Sequence, residues 1–547
     1  MYPVFLVGRY LTSRIIPFIA VAAVALCVAL VITVVSVMSG FLEMVRSTGR
    51  TLMGDVIVSC PVQGIPAYEQ LMARIRELPE VAAVTPLIET YGLLKMPYPE
   101  GATKSVATVQ VWGVDPASIS SVIGLERTIY WRPPTAESAP EGLLPDDPRR
   151  VVDPEFLERG RKLEAVDGRP GALLGIHVCV GNQRTTDGSY RFMEPWFMPR
   201  HQVTLTLVPL TRQGRVSDVR DLVLPVVNEF ASGVYQIDKN RIIIPLAEAQ
   251  TLLRMNEAPV YDRTAAPLPD GSLPLLGTDP ARVTTIMVKA RPEASLMALR
   301  DAVAGAYAEF YRSRLGERPE LGQAPSPLVV SVRTWEQQLS DLIGPVENER
   351  EMMRILFSIV YVVCAGLVLS IFWAIVYEKT RDIGILRAVG ASRPAILAIF
   401  LQYGLVIGVV GSILGVGLAW LVVTNINSIH AAIAHRAPMS AWVSIFGLAV
   451  LAAGGAVWSG WRGSILWSLL WCIAALALAG AGWGLLVYPG RLIWDPRVYY
   501  FSRIPSSVDW FTAATTCVGA ALFSVIGASV PAAKAADVDP VRALRHE

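Results

Sequence analysis

Glu378-Lys-Thr-Arg-Asp-Ile-Gly-Ile-Leu-Arg-Ala-Val-Gly-Ala-Ser392 is a polar stretch between two uncharged runs, Ile355–Val376 and Ala395–Val423. A bilayer core of ~30 Å takes roughly 20 apolar residues, so each run can span a membrane and the stretch between them must be a short loop. Lys379, Arg381 and Arg387, with Arg393 just beyond, hold that loop on the cytoplasmic side by the positive-inside bias. Ile383, Leu386 and Val389 recur at helical spacing, Gly390 reads as a C-terminal stop, and Ser392 with Pro394 starts the next helix. The reading is a short basic helix with one apolar stripe, fixed between two spans and able to dock into a cytoplasmic partner.

Working outward, 53% of the chain is hydrophobic and only 17% is charged, which favours a polytopic membrane protein over a soluble one. A net charge of +2 argues for neither a nucleic acid nor an acidic substrate. Six segments suit a span: Ile15–Val37, Ile355–Val376, Ala395–Val423, Ala441–Trp458, Ile465–Tyr488 and Phe511–Pro531. The first is expected to stay as an anchor, because it exceeds a signal-peptide core and no small-residue cleavage pattern follows. With the N-terminus inside, the short cytoplasmic pieces (1–14, 378–394, 459–463, 532–547) carry ten Lys or Arg in 52 residues. The short outer loops (424–440, 489–509) carry four in 38, which supports that orientation. Residues 38–354 then lie outside the cytoplasm.

Within that outer region two segments share one order of elements. Asp55–Cys60 reads as a strand, Tyr68–Leu78 as a helix and Val81–Leu94 as a strand; Val283–Lys289, Ala294–Arg314 and Leu328–Val332 repeat the pattern. Two strand–helix–strand halves, at 45–114 and 283–335, predict a small α+β layer. Between them, 115–282 reads as an inserted β-rich subdomain with strands at Gln202–Leu207, Leu222–Val227 and Arg241–Ile244 and a helix at Leu246–Arg254. The Pro-rich stretches Arg132–Arg150 and Ala258–Ala281 read as surface loops. Cys60 and Cys179 both fall in this region, where a disulfide is permitted but nothing fixes their distance.

The loop at 378–392 closely resembles the coupling loop of FtsX-like ABC-transporter permeases, a family that includes MacB-type and lipoprotein-releasing (Lol) permeases. Ser36-Val-Met-Ser-Gly-Phe41, Val111-Trp-Gly-Val-Asp-Pro116, Ile237–Met255, Thr334-Trp335, the Glu347–Arg354 run and Asp495–Pro505 resemble the Lol pattern. The closing Pro531–Arg545 is similar to the wider family. The resemblance implies a polytopic α-helical membrane protein with a large α+β periplasmic domain between spans 1 and 2. Its spans would be 15–37, 355–377, 395–423 and 511–531, with 424–440 and 489–510 as periplasmic loops. The pair 441–458 and 465–488 departs from the family's usual four spans and reads as an insertion that preserves topology.

What the resemblance implies for function is a permease subunit driven by a separate ATPase. Coupling would involve Glu378, Lys379, Arg381, Asp382, Ile383, Leu386, Arg387 and Gly390. The implied partners are that ATPase, a second permease (the same or a related chain), membrane lipids, a lipoprotein cargo and a periplasmic carrier. ATP and Mg would be held by the ATPase, and the location would be the bacterial inner membrane. Met38, Phe41, Met352 and Met353, where the first two spans meet the outer domain, are candidates for a substrate cavity. A MacB-like efflux permease and an FtsX-like signalling permease that regulates a cell-wall hydrolase stay open as alternatives.

No G-x-x-x-x-G-K-[ST] occurs, so the sequence offers no phosphate-cradling loop of the P-loop kind. The five histidines are scattered, with no H-E-x-x-H and no G-x-S-x-G. In the third span Gly404-x-x-x-Gly408 and Gly411-x-x-x-Gly415 predict close helix approach, and Gln402 is expected to bond across helices.

Overall fold

A computed structural model describes residues 15–98, 106–132, 155–185, 188–209, 219–262, 273–318, 321–434, 439–462, 465–487 and 503–538. The termini 1–14 and 539–547, most of the first Pro-rich stretch, 263–272 of the second, Gly463 and the Asp495–Ser502 part of the Lol-like phrase lie outside the described residues. The described ends of the second stretch, Ala258–Tyr261 and Leu275–Asp279, pair as antiparallel strands rather than forming only a loop. Two units emerge, residues 45–343 and the remainder. The outer unit is thus shorter at both ends than the 38–354 read from the sequence. The reason is local: no proline interrupts 38–51, so helix α1 runs unbroken over Ile15–Thr51, well past the apolar segment.

In the outer unit, β1 (Val56–Ser59), α2 (Tyr68–Arg76) and β2 (Val81–Lys95) form the first strand–helix–strand half. β3 (Val106–Val114), α3 (Pro116–Val122), α4 (Leu125–Thr128), α5 (Glu155–Lys162), β4 (Ala172–Gly175), β5 (Gln202–Leu207), β6 (Arg220–Phe230), β7 (Arg241–Pro245) and α6 (Leu246–Leu253) follow. The second half comprises β8 (Thr285–Ala290), α7 (Leu296–Ser313) and β9 (Ser331–Thr334). The order β9-β1-β8-β2 places β8 between β1 and β2 and β1 between β8 and β9, a double split βαβ layer. Leu71 and Ile75 of α2 and Leu299, Val303 and Phe310 of α7 bury one face of it at helical spacing.

The segment 115–282 is not a separate subdomain. Its strands extend the same sheet in the order β2-β3-β7-β4-β6-β5, and β5 returns to pair with β2. Six strands therefore close a barrel, with β4 and β6 in parallel and β3 and β7 in parallel. Closure depends on the 15-residue length of β2: Val81–Leu87 pairs with β8, whereas Gly92–Lys95 pairs with β5. A Cβ at Gly92 would lie 2.9 Å from the backbone oxygen of Thr206 as well as 2.6 Å from Leu207 Cδ2, so the seam favours glycine there. Alternate residues (Val109, Val111; Val203, Leu205, Leu207; Leu224, Val226; Ile242, Ile244) share one buried core. Trp112, Val114, Leu173, Val227 and Ile243 on the opposite face pack under α3 and α4.

Helices α8 (Ser340–Glu378), α9 (Thr380–Ala388), α10 (Arg393–Ala434), α11 (Met439–Trp461), α12 (Ile465–Val487) and α13 (Trp510–Ala536) complete the chain. Among the described residues, four helices are long and apolar enough to cross a membrane: α1, α8, α10 and α13. The described apolar parts of α11 and α12, Val443–Ser459 and Ala474–Gly484, are shorter, and the two helices pair as a hairpin. α10 uses its glycines on two sides. A Cβ at Gly404 would lie 2.7 Å from Ala528 Cβ of α13, whereas one at Gly411 would lie 2.8 Å from Val24 Cβ of α1. Gly408 and Gly415 repeat those contacts one turn on, so both G-x-x-x-G pairs permit close approach, each to a different neighbour. Gln402 differs from expectation: it is exposed.

Candidate functional site

The loop read first folds as the helix α9, closed by a Schellman arrangement. Gly390 takes φ +106°, its N–H donates to Arg387 O at 3.1 Å, and Ala391 N–H donates to Leu386 O at 2.9 Å. Glycine suits that position because a Cβ disfavours the left-handed conformation. Lys379 pairs with Asp382 at 3.0 Å within the first turn.

The single apolar stripe divides. Ile383 is buried with Phe372, Ile396, Tyr403 and Ala532 in the core of the membrane unit, Leu386 is half-buried, and Val389 is 84% exposed. Six residues of α-helix turn ~600°, so Ile383 and Val389 cannot share a face. The exposed row of α9 is Arg381, Ile385 and, at its C-terminal cap, Val389, each four residues after the last, and Tyr377 near the end of α8 is exposed as well. The sequence does not single out Ile385 or Tyr377, because an exposed apolar side chain on a short helix has the same periodicity as a buried one. Glu378 and Gly390 are exposed as well.

Arg387 faces inward and works within the chain. Its Nη1 donates to the carbonyl oxygen of Ala536, the end of α13, at 3.0 Å. Helix C-termini leave carbonyls unsatisfied and favour a cation, so this contact caps α13 from α9. Arg393, opening α10, reaches Asp537 at 3.3 Å on the exposed surface, where such a pair contributes ~0–1 kcal/mol.

At the other end of the membrane unit, the segment 503–509 is clamped between α1 and α10. Asn427 Nδ2 donates to Ile504 O at 3.2 Å and its Oδ1 accepts from Ile504 N–H at 2.8 Å. Ser507 N–H donates to Ser36 O at 3.1 Å, and a Cβ at Gly40 would lie 2.6 Å from Ser506 Cα. Asp509 then caps α13 by accepting from Thr512 Oγ1 at 2.6 Å and from Phe511 N–H at 3.0 Å. The Thr512 hydroxyl, then the two backbone amides and the Arg354 charge, hold its carboxyl below the usual range.

The four cavity candidates have different settings. Met353 packs onto the Val31–Val35–Phe357 cluster that joins α1 to α8, whereas Met352 is 63% exposed. Met38 and Phe41 are half-buried on α1. Met352 heads an exposed row of α8 with Ile355, Leu356, Ile359, Val362 and Val363.

Two polar groups stand out in the outer unit. Asp55 is fully buried, held by Arg50 at 2.8 Å, Lys289 at 3.3 Å and the Ala290 N–H at 2.9 Å. Glu229, on β6, is also fully buried; Trp131 Nε1 donates to it at 2.5 Å and Asn182 Nδ2 at 2.8 Å. Burial pushes its carboxyl up to about 7 against the hydrogen bonds that favour ionisation. Cys60 and Cys179 are both free; Cys179 bonds with Tyr98 instead. Among the described residues no group of three His, Cys, Asp or Glu could hold a metal ion.

The FtsX-like permease C-terminal family model matches residues 354–464, and the MacB-like periplasmic core domain model matches 18–178. The lipoprotein-releasing system transmembrane protein LolC of Neisseria meningitidis is 22% identical over 424 residues, which is 76% of this chain and 79% of that one. LolC of Haemophilus influenzae is 27% identical over 127 residues, spanning 23% of this chain and 32% of its own length. The periplasmic region of MacB from Actinobacillus actinomycetemcomitans aligns with 55% of this chain and 96% of its own at 8% identity, with a TM-score of 0.25. That score is too low to bear on the fold, which rests on the sheet and helices described above. The first family model covers α8 from Arg354, α9, α10 and α11, and the second covers α1 from Phe18 through β4; the chain therefore carries a region similar to the FtsX-like permease C-terminus and a region similar to the MacB-like periplasmic core.

Proposed function

We propose that this permease releases lipoproteins: it takes a lipid-anchored protein from the outer leaflet of the inner membrane and passes it to a soluble periplasmic carrier. A separate ATPase, holding ATP and Mg, drives the step, and two permease chains form the complex. The observation that carries this reading is the exposed row Arg381, Ile385 and Val389, on a helix whose other side is fixed to the membrane unit. A push on that row reaches α13 through Arg387 and the core of the unit through Ile383. The relatives named as lipoprotein-releasing supply the cargo class. Acyl chains cost ~0.8 kcal/mol per buried CH₂ to extract, so a multiply acylated anchor needs driven release. The exposed apolar row of α8 from Met352 to Val363 suits such chains as a wall.

Photo-crosslinkers at Met38, Phe41, Met352 and Met353 test the route. Met352, the most open of them, should capture an acylated protein best, and ATP turnover by the co-purified ATPase should reduce the capture. If these positions trap only lipid or the neighbouring permease, while a soluble substrate crosslinks to the outer unit, an efflux role replaces lipoprotein release.

A further inference from the structure

The α11–α12 hairpin departs from the four spans that the family resemblance implies, and the FtsX-like family match ends at residue 464, between its two helices. Its helices interlock through glycine: a Cβ at Gly455 would lie 3.0 Å from the Trp471 ring, and one at Gly482 would lie 3.1 Å from the Phe446 ring. Ser468 Oγ donates across the pair to Ala456 O at 2.8 Å. The outward faces carry Val450 and Leu451 at 71% exposure and Leu476 at 74%. Each helix has 23 residues, or ~34 Å of length, enough for a hydrocarbon core of ~30 Å.

The chemistry gathers at the tip. Six of the chain's 14 tryptophans fall within 439–487, and four of them, Trp458, Trp461, Trp467 and Trp471, flank the turn. Trp461 is 91% exposed and Trp458 and Trp467 are each 59% exposed. Arg462 is the sole charged residue of 439–487, and its guanidinium lies 3.9 Å from the Trp458 ring centroid. Among the described residues it meets no carboxylate. Exposed indoles beside one stacked guanidinium match the boundary between acyl chains and headgroups, where indole favours the interface and arginine favours phosphate. A protein partner would be expected to meet charge with charge or to cover the indoles. One guanidinium stacked on Trp458, with other exposed indoles close by in sequence, fits an anionic surface better.

We propose that the hairpin tip is a binding site for the phosphate of an anionic phospholipid in the cytoplasmic leaflet, held by Arg462 against Trp458 and flanked by Trp461 and Trp467. This rests on the reading that the hairpin enters the membrane as a pair of spans. The site makes the hairpin a lipid anchor for the permease rather than a contact for another protein.

The test uses the full chain in nanodiscs of mixed phosphatidylglycerol and phosphatidylethanolamine. Native mass spectrometry should show retained phosphatidylglycerol falling about fivefold in Arg462→Gln, the factor for ~1 kcal/mol per basic residue near an anionic surface. Arg462→Lys should recover only part of it, because the ammonium does not stack. A nitroxide at Trp461→Cys, in a chain lacking its six native cysteines, reports depth separately. Relaxation intermediate between a water-soluble and a lipid-soluble agent supports the headgroup position. Full exposure to the water-soluble agent sinks the membrane reading itself. Protection from both agents means that protein covers the tip, and unchanged phosphatidylglycerol retention in Arg462→Gln overturns the lipid site even if the depth is right.

Discussion

Arg387 Nη1 lies 3.0 Å from the carbonyl oxygen of Ala536, so α9 and α13 are joined by a charge-assisted hydrogen bond. Arg381, six residues earlier, is exposed. The two arginines that look equivalent in the sequence therefore have different work.

Charge reversal separates them. Arg381→Glu should abolish co-purification with the ATPase while leaving the melting temperature of the detergent-solubilised chain unchanged. Arg387→Ala should lower that temperature, because a hydrogen bond to a charged group contributes ~1.5–3 kcal/mol. It should retain ATPase binding but weaken coupled hydrolysis. Equal loss of binding in both variants would mean that Arg387 leaves Ala536 to meet the partner.

Much of this was legible before the fold. Apolar run length located α1, α8, α10 and α13, and period-two alternation found Gln202–Leu207 at its observed limits. The closed barrel was not legible, because closure is set by which edge of β2 pairs at Gly92, a long-range choice that alternation does not encode. The facing of α9 was misjudged for a related reason. A nine-residue helix offers too few apolar positions to tell an inward side from a docking side. The inward side is chosen by Phe372, Ile396 and Ala532, which are distant in sequence. Arg387 was legible as a cation but not as a cap.

The outer clamp gives a second test. Asn427→Ala removes both bonds to Ile504 and leaves a backbone N–H and C=O to find water. Gly40→Val forces a side chain into the space held by Ser506, whose Cα lies 2.6 Å from the position of a Cβ. Either change should raise the reactivity of a cysteine at Ser507 toward a membrane-impermeant thiol reagent severalfold. Unchanged labelling would show that other contacts fix the segment.

Asp55 offers a stability test. Its carboxylate compensates two cations and one backbone N–H near the end of α1, and its own C=O accepts from Trp335 N–H at 3.1 Å. Removing one partner of a buried ion pair typically costs ~3–5 kcal/mol, so Asp55→Ala should destabilise the outer unit by about that amount. Protease resistance of the outer unit measures it. Lys289→Met alone should cost less, since Lys289 is partly exposed and Arg50 remains bound.

The pH dependence of the outer unit provides the sharpest check on its interior. Glu229 has its carboxyl raised to about 7 by burial, so the stability it contributes is complete below its ordinary value of 4.5 and lost as pH rises through 7. His177, which bonds with Tyr190, is lowered to about 4 by burial and then by Arg184 and Lys239. Its contribution is complete above 6.5 and is lost as pH falls toward 4. Between roughly pH 4.5 and 6.5 the two slopes oppose each other, so the wild-type unit should show a shallow optimum there. Glu229→Gln should remove the falling limb and leave stability rising with pH, by up to ~1.4 kcal/mol per unit relative to wild type. His177→Phe should leave the opposite slope, a steady loss from pH 5 to 7. Hydrogen exchange at Val226 and Leu174, across the pH range, reads both limbs. If Glu229→Gln leaves the wild-type profile unchanged, Glu229 is not the buried acid that its surroundings require.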